Sequence, residues 1–408
     1  MNINLLLITL IIFSCIFFNK ISFRFGIPTL FVFILLGMAF GSDGFARISF
    51  DNFALSETVC SVALIFIMFY GGFGTNWKMA RPVARQSILL STAGVFLTAL
   101  FLGLFLYLLL RREFWLCFLT GSALASTDAA SVFSVLRSQK LDLKENTASI
   151  LELESGSNDP MAYMLTLVCL SFLTGKADAG SILRLLTTQL VFGIAIGALC
   201  GLLSYRILKS VSFEVDGFDV IFIAGIALFS YALSAALGGN GYLSTYLTGI
   251  ILGNVKMGGK KNIVHFFDGL TGLMQMAVFF LLGLLATPSL LPGVLMSAVS
   301  VFLFLTLVAR PLAVKLLLLP FRASKGQSLL ISFAGLRGAS SIVFAIMAVQ
   351  TLKSDTRFFH IIFFVVLLSL LVQGSLLPFA ARRFDMIDLS NDVMKTFTDY
   401  SEELPVQF

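Results

Sequence analysis

The sequence predicts an all-α protein that crosses a membrane many times. Of its 408 residues, 58% are hydrophobic and 12% are charged, whereas an ordinary soluble domain has roughly 25% charged residues. The mean hydropathy is +0.96, and the 43 phenylalanines are spread along the whole chain. Residues this apolar face an apolar solvent, so a soluble protein with one core is excluded.

Residue types that hold cofactors in other proteins are scarce. The two histidines, His265 and His360, are too few for a histidine-rich metal centre, and the five cysteines lie in apolar runs without a CxxC spacing. We therefore expect no disulfide, zinc, haem or other cofactor. The net charge of +6 is attributed to basic loops on the cytoplasmic side of a membrane, not to a nucleic-acid partner.

Hydrophobic runs predict thirteen membrane spans. The first, from Ile3 to Phe18, has no basic residue before it and no small-residue cleavage site after it, unlike a secretory signal. The others are predicted at 28–41, 56–73, 87–110, 114–136, 148–173, 183–208, 218–237, 241–254, 263–286, 291–319, 327–351 and 358–381. All but two have about the 20 residues needed to cross hydrocarbon.

The distribution of Lys and Arg predicts the orientation. Loops after odd-numbered spans, together with the C-terminal segment, carry nineteen of these residues, and the opposite loops carry seven. The richer side marks the cytoplasm. We expect the N-terminus outside and the C-terminus in the cytoplasm, with a cytoplasmic tail at 385–408 after a transmembrane domain at 1–384.

The span count predicts two halves of opposite orientation. Thirteen spans divide into six, one linker and six, and the second half starts from the opposite face, as in secondary transporters built from inverted repeats. The fifth span of each half is interrupted, by Ser126-Thr127-Asp128 in the first half and by Gly335-Leu336-Arg337-Gly338 in the second. We predict two broken helices that cross at the midplane.

The sixth span contains the densest polar run, LELESGSNDP at 151–160. A charge at the bilayer centre costs about 2.5–3.5 kcal/mol on insertion scales, so each charged residue there requires a function or a partner. Ser155 and Asp159 are four residues apart and share one helix face, beside a row formed by Glu154 and Asn158. With the Thr127-Asp128 break, these oxygens suit a hard cation.

Simpler interpretations of these residues stay open. Thr127 or Asp128 could be an N-cap that does no more than restart a kinked helix. Glu154 and Arg337 could form an ion pair with a structural role. Glu152 could be a solvated residue near the cytoplasmic mouth, and Arg310 could lie toward a lipid interface. Glycine stripes on the seventh and ninth spans indicate close helix packing or a dimer face.

Together the three motifs resemble the NhaP-type branch of the monovalent cation/proton antiporters. The Thr127-Asp128 break, the run at 154–160 and the Gly-Leu-Arg-Gly at 335–338 occur in the order and at the span positions of that family. The resemblance covers nearly the whole chain. It is nearest to bacterial potassium/proton antiporters, which implies a multi-pass protein of the bacterial inner membrane.

The resemblance also implies an architecture. It is a homodimer in which each chain has a moving core, about 87–173 and 291–381, and a dimerisation scaffold, about 1–73 and 183–286. Some bacterial potassium/proton antiporters carry a cytosolic regulatory domain after the membrane part. We therefore expect that the chain either stops before such a domain or lacks that control.

The site residues follow from the same resemblance. The family pattern implies cation coordination by the Thr127 carbonyl, Asp128, Ser155 and Asp159, with supporting roles for three further residues. Asn158 would hold the broken helix, and Glu154 would pair with Arg337. An Asn at 158 beside Asp159, in place of a second Asp, resembles the electroneutral class that exchanges one cation for one proton.

The predicted function is electroneutral exchange of potassium, or possibly sodium, for protons by alternating access. Asp159 would carry both substrates in turn, and the partners would be membrane lipid, monovalent cations, protons and a second copy of the chain. The alternatives are a cation channel, which needs a continuous polar pore, or another ion-coupled secondary transporter. An intramembrane serine protease needs a base near a serine, and both histidines lie at span ends; no enzyme is expected.

Overall fold

The computed structural model describes residues 2–25, 28–139, 141–211, 217–257, 259–353 and 357–388. The helices of the first half are α1 Asn2–Phe25, α2 Thr29–Phe40, α3 Phe53–Gly74, α4 Trp77–Leu110, α5 Phe114–Ala125, α6 Ala129–Ser138 and α7 Thr147–Leu173. Then follow α8 Ala179–Ser210, α9 Phe218–Ala236, α10 Gly241–Gly253, α11 Lys260–Leu285, α12 Pro288–Phe321, α13 Lys325–Phe333, α14 Ala339–Leu352 and α15 Arg357–Arg383. A helix or a broken pair of helices lies on every predicted span.

Seven of the described helices are long and apolar enough to cross a membrane by length and composition. They are α3, α4, α8, α9, α11, α12 and α15, and the pair α5 and α6, bent by 40°, gives an eighth if it forms one span. The predicted helical membrane fold is confirmed at this level. It is not purely helical, because two short strands, β1 Asp142–Leu143 and β2 Ile387–Asp388, pair antiparallel.

Polar residues at the helix starts explain several of the boundaries. Asn52 accepts a hydrogen bond from the Leu55 amide at 2.9 Å at the start of α3, and Ser324 accepts one from the Gln327 amide at 3.0 Å before α13. Asp178 forms a capping box with Ser181 at the start of α8. These side chains satisfy amides that have no partner within the first turn of a helix.

Glycines permit close contact between neighbouring helices. A Cβ on Gly37 of α2 would lie 2.1 Å from the Phe280 carbonyl oxygen of α11, and one on Gly249 of α10 would lie 2.2 Å from the Phe69 carbonyl oxygen of α3. The stripe Gly193, Gly197 and Gly201 of α8 packs on α10 in the same way. Both glycine stripes of the sequence therefore serve helix packing within one chain.

The strand pair ties the segment after α15 to the loop between α6 and α7. Asp142 lies opposite Asp388 and Leu143 opposite Ile387. Lys144 Nζ lies 2.9 Å from Asp385 Oδ1, and the Lys144 amide donates to the Met386 carbonyl oxygen at 2.9 Å. This ladder therefore holds the segment after α15 beside the start of α7.

Candidate ion-binding site

The breaks in the two interrupted helices lie against each other. The Asp128 amide donates to the Leu336 carbonyl oxygen at 2.8 Å. From the other break, Arg337 Nη1 donates to the carbonyl oxygens of Ala125, at 3.0 Å, and Ser126, at 2.7 Å. These carbonyls end α5 and have no helical partner, so the guanidinium satisfies them and balances the negative end of the helix dipole.

The prediction that Glu154 forms an ion pair with Arg337 is wrong. Glu154 Oε1 instead lies 2.6 Å from Nη1 of Arg310, and the two side chains are only 1% and 2% exposed. Arg310 therefore does not lie toward a lipid interface; it reaches from α12 to α7 inside the protein. In the motif Gly335–Gly338, the buried guanidinium of Arg337 binds backbone carbonyl oxygens and, among the described residues, no carboxylate.

Side chains of α7 hold the first break. Ser155 Oγ donates to the Thr127 carbonyl oxygen at 2.6 Å, and Asn158 Nδ2 donates to Thr127 Oγ1 at 2.6 Å. The extended backbone at Ser126, with ψ 146°, turns these groups away from the helix hydrogen-bond ladder. The predicted residues Thr127, Ser155 and Asn158 therefore lie together.

Asp159 lies at the centre of a second set of hydrogen bonds. The Ser126 hydroxyl donates a short hydrogen bond to Asp159 Oδ1 and lies 2.8 Å from the Ser340 hydroxyl of α14. Asp159 is 7% exposed. Neither serine was predicted as a site residue, although Ser126 belongs to the first predicted break and Ser340 lies two residues after the second.

Asp128 both caps a helix and borders the site. Its Oδ1 accepts from the Ala130 amide at 3.0 Å, and its Oδ2 accepts from the Ser131 hydroxyl at 2.5 Å, at the start of α6. The capping interpretation that was left open therefore applies to Asp128. Gly338 makes room for this carboxylate, since a Cβ there would lie 2.4 Å from the Asp128 Cβ.

A cavity of about 380 Å³ opens onto these groups. The predicted ligands Thr127, Asp128, Ser155 and Asp159 all line it, and so does Glu152, which is 6% exposed. The supporting residues lie behind the wall; they are Asn158, Glu154 and Arg337. The site thus brings several oxygens that could bind a cation to the wall of one cavity.

The opposite wall of the cavity was not foreseen. It is formed by α3 and α11, where the Tyr70 hydroxyl donates to Asp268 Oδ1 at 2.5 Å. Asp268, Thr271 and Gln275 recur every three or four residues on α11 and all line the cavity. That spacing places them on one helix face, a signal that the sequence does contain.

Two interrupted helices that meet at their breaks, with a carboxylate-lined cavity beside them, are the arrangement of an ion-transporting membrane protein. Residues 7–383 match the family model described as "Sodium/hydrogen exchanger, transmembrane", so the chain belongs to this family. The resemblance seen in the sequence is confirmed. The family consists of transporters, and the chain is a multi-pass membrane protein.

Two relatives from different bacteria extend this finding. The chain is 38% identical over 370 residues to the K(+)/H(+) antiporter NhaP2 of Shewanella sp. (strain MR-4), covering 89% of this chain and 64% of that protein. It is 35% identical over 375 residues to the K(+)/H(+) antiporter NhaP of Alkalimonas amylolytica, covering 91% and 65%. The chain thus spans somewhat less than two thirds of the length of these relatives.

A solved structure shares the fold. The sodium proton antiporter MjNhaP1 from Methanocaldococcus jannaschii superposes with a TM-score of 0.82 at 24% identity, over 92% of this chain and 97% of that one. At this identity the likeness establishes the arrangement of helices only.

Proposed function

We propose that the protein exchanges a monovalent cation, potassium or sodium, for one proton by alternating access across a bacterial inner membrane. The observation that carries this proposal is Asp159, a buried carboxylate that lines the cavity together with Thr127, Asp128 and Ser155. The named relatives are K(+)/H(+) antiporters, and the matched family is that of sodium/hydrogen exchangers.

Burial makes proton and cation compete at Asp159. A bare carboxylate that is 7% exposed is unfavourable, so Asp159 binds either a proton or a cation. Ser126 and Ser340 hold the carboxylate in place. In the structure the Ser155 hydroxyl donates to the Thr127 carbonyl oxygen. When a cation enters, this hydroxyl hydrogen would turn away, so that Ser155 Oγ and the Thr127 carbonyl oxygen could both bind the cation.

Asn158 bears on the stoichiometry. Its amide holds Thr127, and it occupies the position beside Asp159 where a second titrating aspartate would give an extra proton carrier. Of the two aspartates at the first break, Asp128 is engaged by Ala130 and Ser131, which leaves Asp159 to exchange its proton. The cycle would then move no net charge.

Pairwise similarities of helices support thirteen spans arranged as an inverted repeat. Spans four and eleven, α4 and α12, are each 34 residues long and contain a π-helical turn, at Leu90–Gly94 and Leu305–Ala309. Each is followed by a left-handed residue, Arg111 or Arg322. Span two packs on span ten, and span nine packs on span three. The repeat pairs span two with span nine and span three with span ten, so it maps one of these contacts onto the other.

The same repeat divides the chain into a core and a scaffold. The core would contain α4 to α7 and α12 to α15, and the scaffold would contain α1 to α3 and α8 to α11, through which two chains would pair as a homodimer. The cavity lies along the half of α7 that follows the basic loop with Lys144. With the N-terminus outside, this state faces the cytoplasm.

The test is dissipation of an imposed proton gradient in everted vesicles, with potassium, sodium, lithium and rubidium added in turn. We expect saturable cation-dependent proton efflux from the parent chain and none from Asp159→Asn. Asp178→Asn is the matched control, because this exposed carboxylate only caps α8 and Asn caps about as well as Asp.

Two results would contradict the proposal. One is near-parental exchange by Asp159→Asn, which would remove this carboxylate from the mechanism. The other is a cation flux that does not saturate and does not reverse with the proton gradient, which would favour a channel.

A further inference from the structure

On the side of α7 next to the site, three contacts join it to α10. Gly156 admits the ring of Tyr246, since a Cβ on this glycine would lie 2.5 Å from a ring carbon. The Pro160 carbonyl oxygen accepts a hydrogen bond from Asn240 Nδ2 at 2.9 Å. Further along, the rings of Tyr163 and Tyr242 meet edge to face with centroids 5.2 Å apart.

The last two of these contacts lie beyond the stretch of α7 that lines the cavity. On α7 the cavity is lined by Glu152, Ser155, Gly156 and Asp159, and by no described residue after Asp159. Pro160 and Tyr163 therefore follow the carboxylate, past the part of the helix that the cavity reaches. Tyr163 also packs on Phe344 of α14, with ring centroids 6.0 Å apart.

Asn240 is fixed to one side of this junction. Its backbone amide donates to the Gln189 carbonyl oxygen of α8 at 3.0 Å. Its side-chain Oδ1 accepts from the Leu243 amide at 3.0 Å and so caps α10. Only the Nδ2 group crosses to α7. Asn240 is completely buried, so water does not compete for this hydrogen bond.

We propose that Asn240, with the Tyr163–Tyr242 contact, closes the far side of the ion site and releases α7 once in every transport cycle. This inference rests on the proposed function, because alternating access requires the core helix α7 to move against the scaffold helix α10. The bond joins the scaffold to the residue immediately after Asp159. Asn240 is thus a positioning residue for exchange.

The chemistry suits a contact that must form and break repeatedly. A neutral amide-to-carbonyl hydrogen bond shifts an equilibrium by about fivefold, whereas a buried ion pair would hold one state much more firmly. The tyrosine rings add apolar area that excludes water and ions while the side is closed. Loss of the Asn240 bond should therefore increase the population open on the far side.

The variant Asn240→Ser separates the two roles of this side chain. Serine keeps an oxygen that can cap α10, but it is too short to reach Pro160. The matched control is Asn52→Ser, the same change at the cap of α3, where the side chain accepts from the Leu55 amide of its own helix. A structural effect of weakening a cap would appear in both variants.

The measurement is the rate at which a cysteine at position 164, on α7 four residues after Pro160, reacts with an impermeant, positively charged thiol reagent; Met164 is 2% exposed and lies outside the tyrosine contact. The Met164→Cys chain is labelled in right-side-out and everted vesicles, alone and combined with either asparagine change. The five native cysteines are all buried, and the parent chain measures their background. Leu167→Cys, one helical turn after Tyr163 on α7, serves as a second reporter should Met164→Cys fail to insert.

We expect Asn240→Ser to raise the labelling rate about fivefold from the face opposite the cavity, with Asn52→Ser unchanged. Equal rates in the two variants would overturn the role of Asn240. Proton and cation exchange by the parent chain is measured in the same vesicles. Its absence would reject the proposed function independently, whatever the labelling shows.

Discussion

The buried pair of Glu154 and Arg310 permits a quantitative test of how the core is held together. Glu154 Oε1 and Arg310 Nη1 are 2.6 Å apart. The second carboxylate oxygen and the guanidinium Nε and Nη2 find no hydrogen-bond partner among the described residues. Among the described residues, this contact is the one ion pair that either charge forms. The perturbation is Glu154→Gln and Arg310→Met, separately and together, which removes charge with little change in volume.

The expected size follows from the burial. Removing one member of a buried pair leaves an uncompensated charge and costs about 3–5 kcal/mol, whereas replacing both is often nearly neutral. With an unfolding entropy of about 2.1 cal/mol/K per residue, a chain of 408 residues should lose roughly 4–6 °C of melting temperature in either single variant. The double variant should recover most of that loss.

Thermal unfolding is followed in detergent by size-exclusion fluorescence at one heating rate. The comparison set is Arg337→Met, alone and with Glu154→Gln. Arg337 binds the carbonyls of Ala125 and Ser126 and forms no ion pair with Glu154 among the described residues, so Glu154→Gln should compensate its loss much less than it compensates the loss of Arg310. Losses that add for Glu154 and Arg310 but compensate for Glu154 and Arg337 would refute the pairing derived from the structure.

Three further predictions concern the site. Gly338→Ala should insert normally but lose most exchange, because its Cβ would lie 2.4 Å from that of Asp128. The control is Gly225→Ala, whose Cβ would have no atom within 4 Å. Equal exchange by the two variants would show that Asp128 can shift freely. Ser340→Ala should alter the pH profile of exchange, since it removes a hydroxyl 2.8 Å from the one that binds Asp159; an unchanged profile would contradict this role. In proteoliposomes whose voltage is set by a lipophilic ion, sodium-driven proton flux should not depend on that voltage. A steep dependence would make Asp128 a second proton carrier.

Composition and the order of motifs were sufficient for the class of protein. Long apolar runs specify membrane helices because the bilayer demands internal hydrogen bonding along each span, a local property that a sequence displays directly. The polar interruptions at Ser126-Thr127-Asp128 and Gly335–Gly338 were visible for the same reason. So was the face of α7 that carries Ser155 and Asp159, since helix periodicity alone places residues four apart side by side.

Which partner each buried group meets was decided by tertiary structure alone. Glu154 pairs with Arg310 because α12 brings that side chain to α7 within the core, and no local pattern says which of two buried arginines will be nearer. Asp268 reaches the cavity, and Asn240 reaches Pro160, across 80 residues or more of sequence. Contacts between distant helices depend on how whole helices pack against each other. Periodicity gives the face of a helix, and only packing gives the neighbour that this face meets.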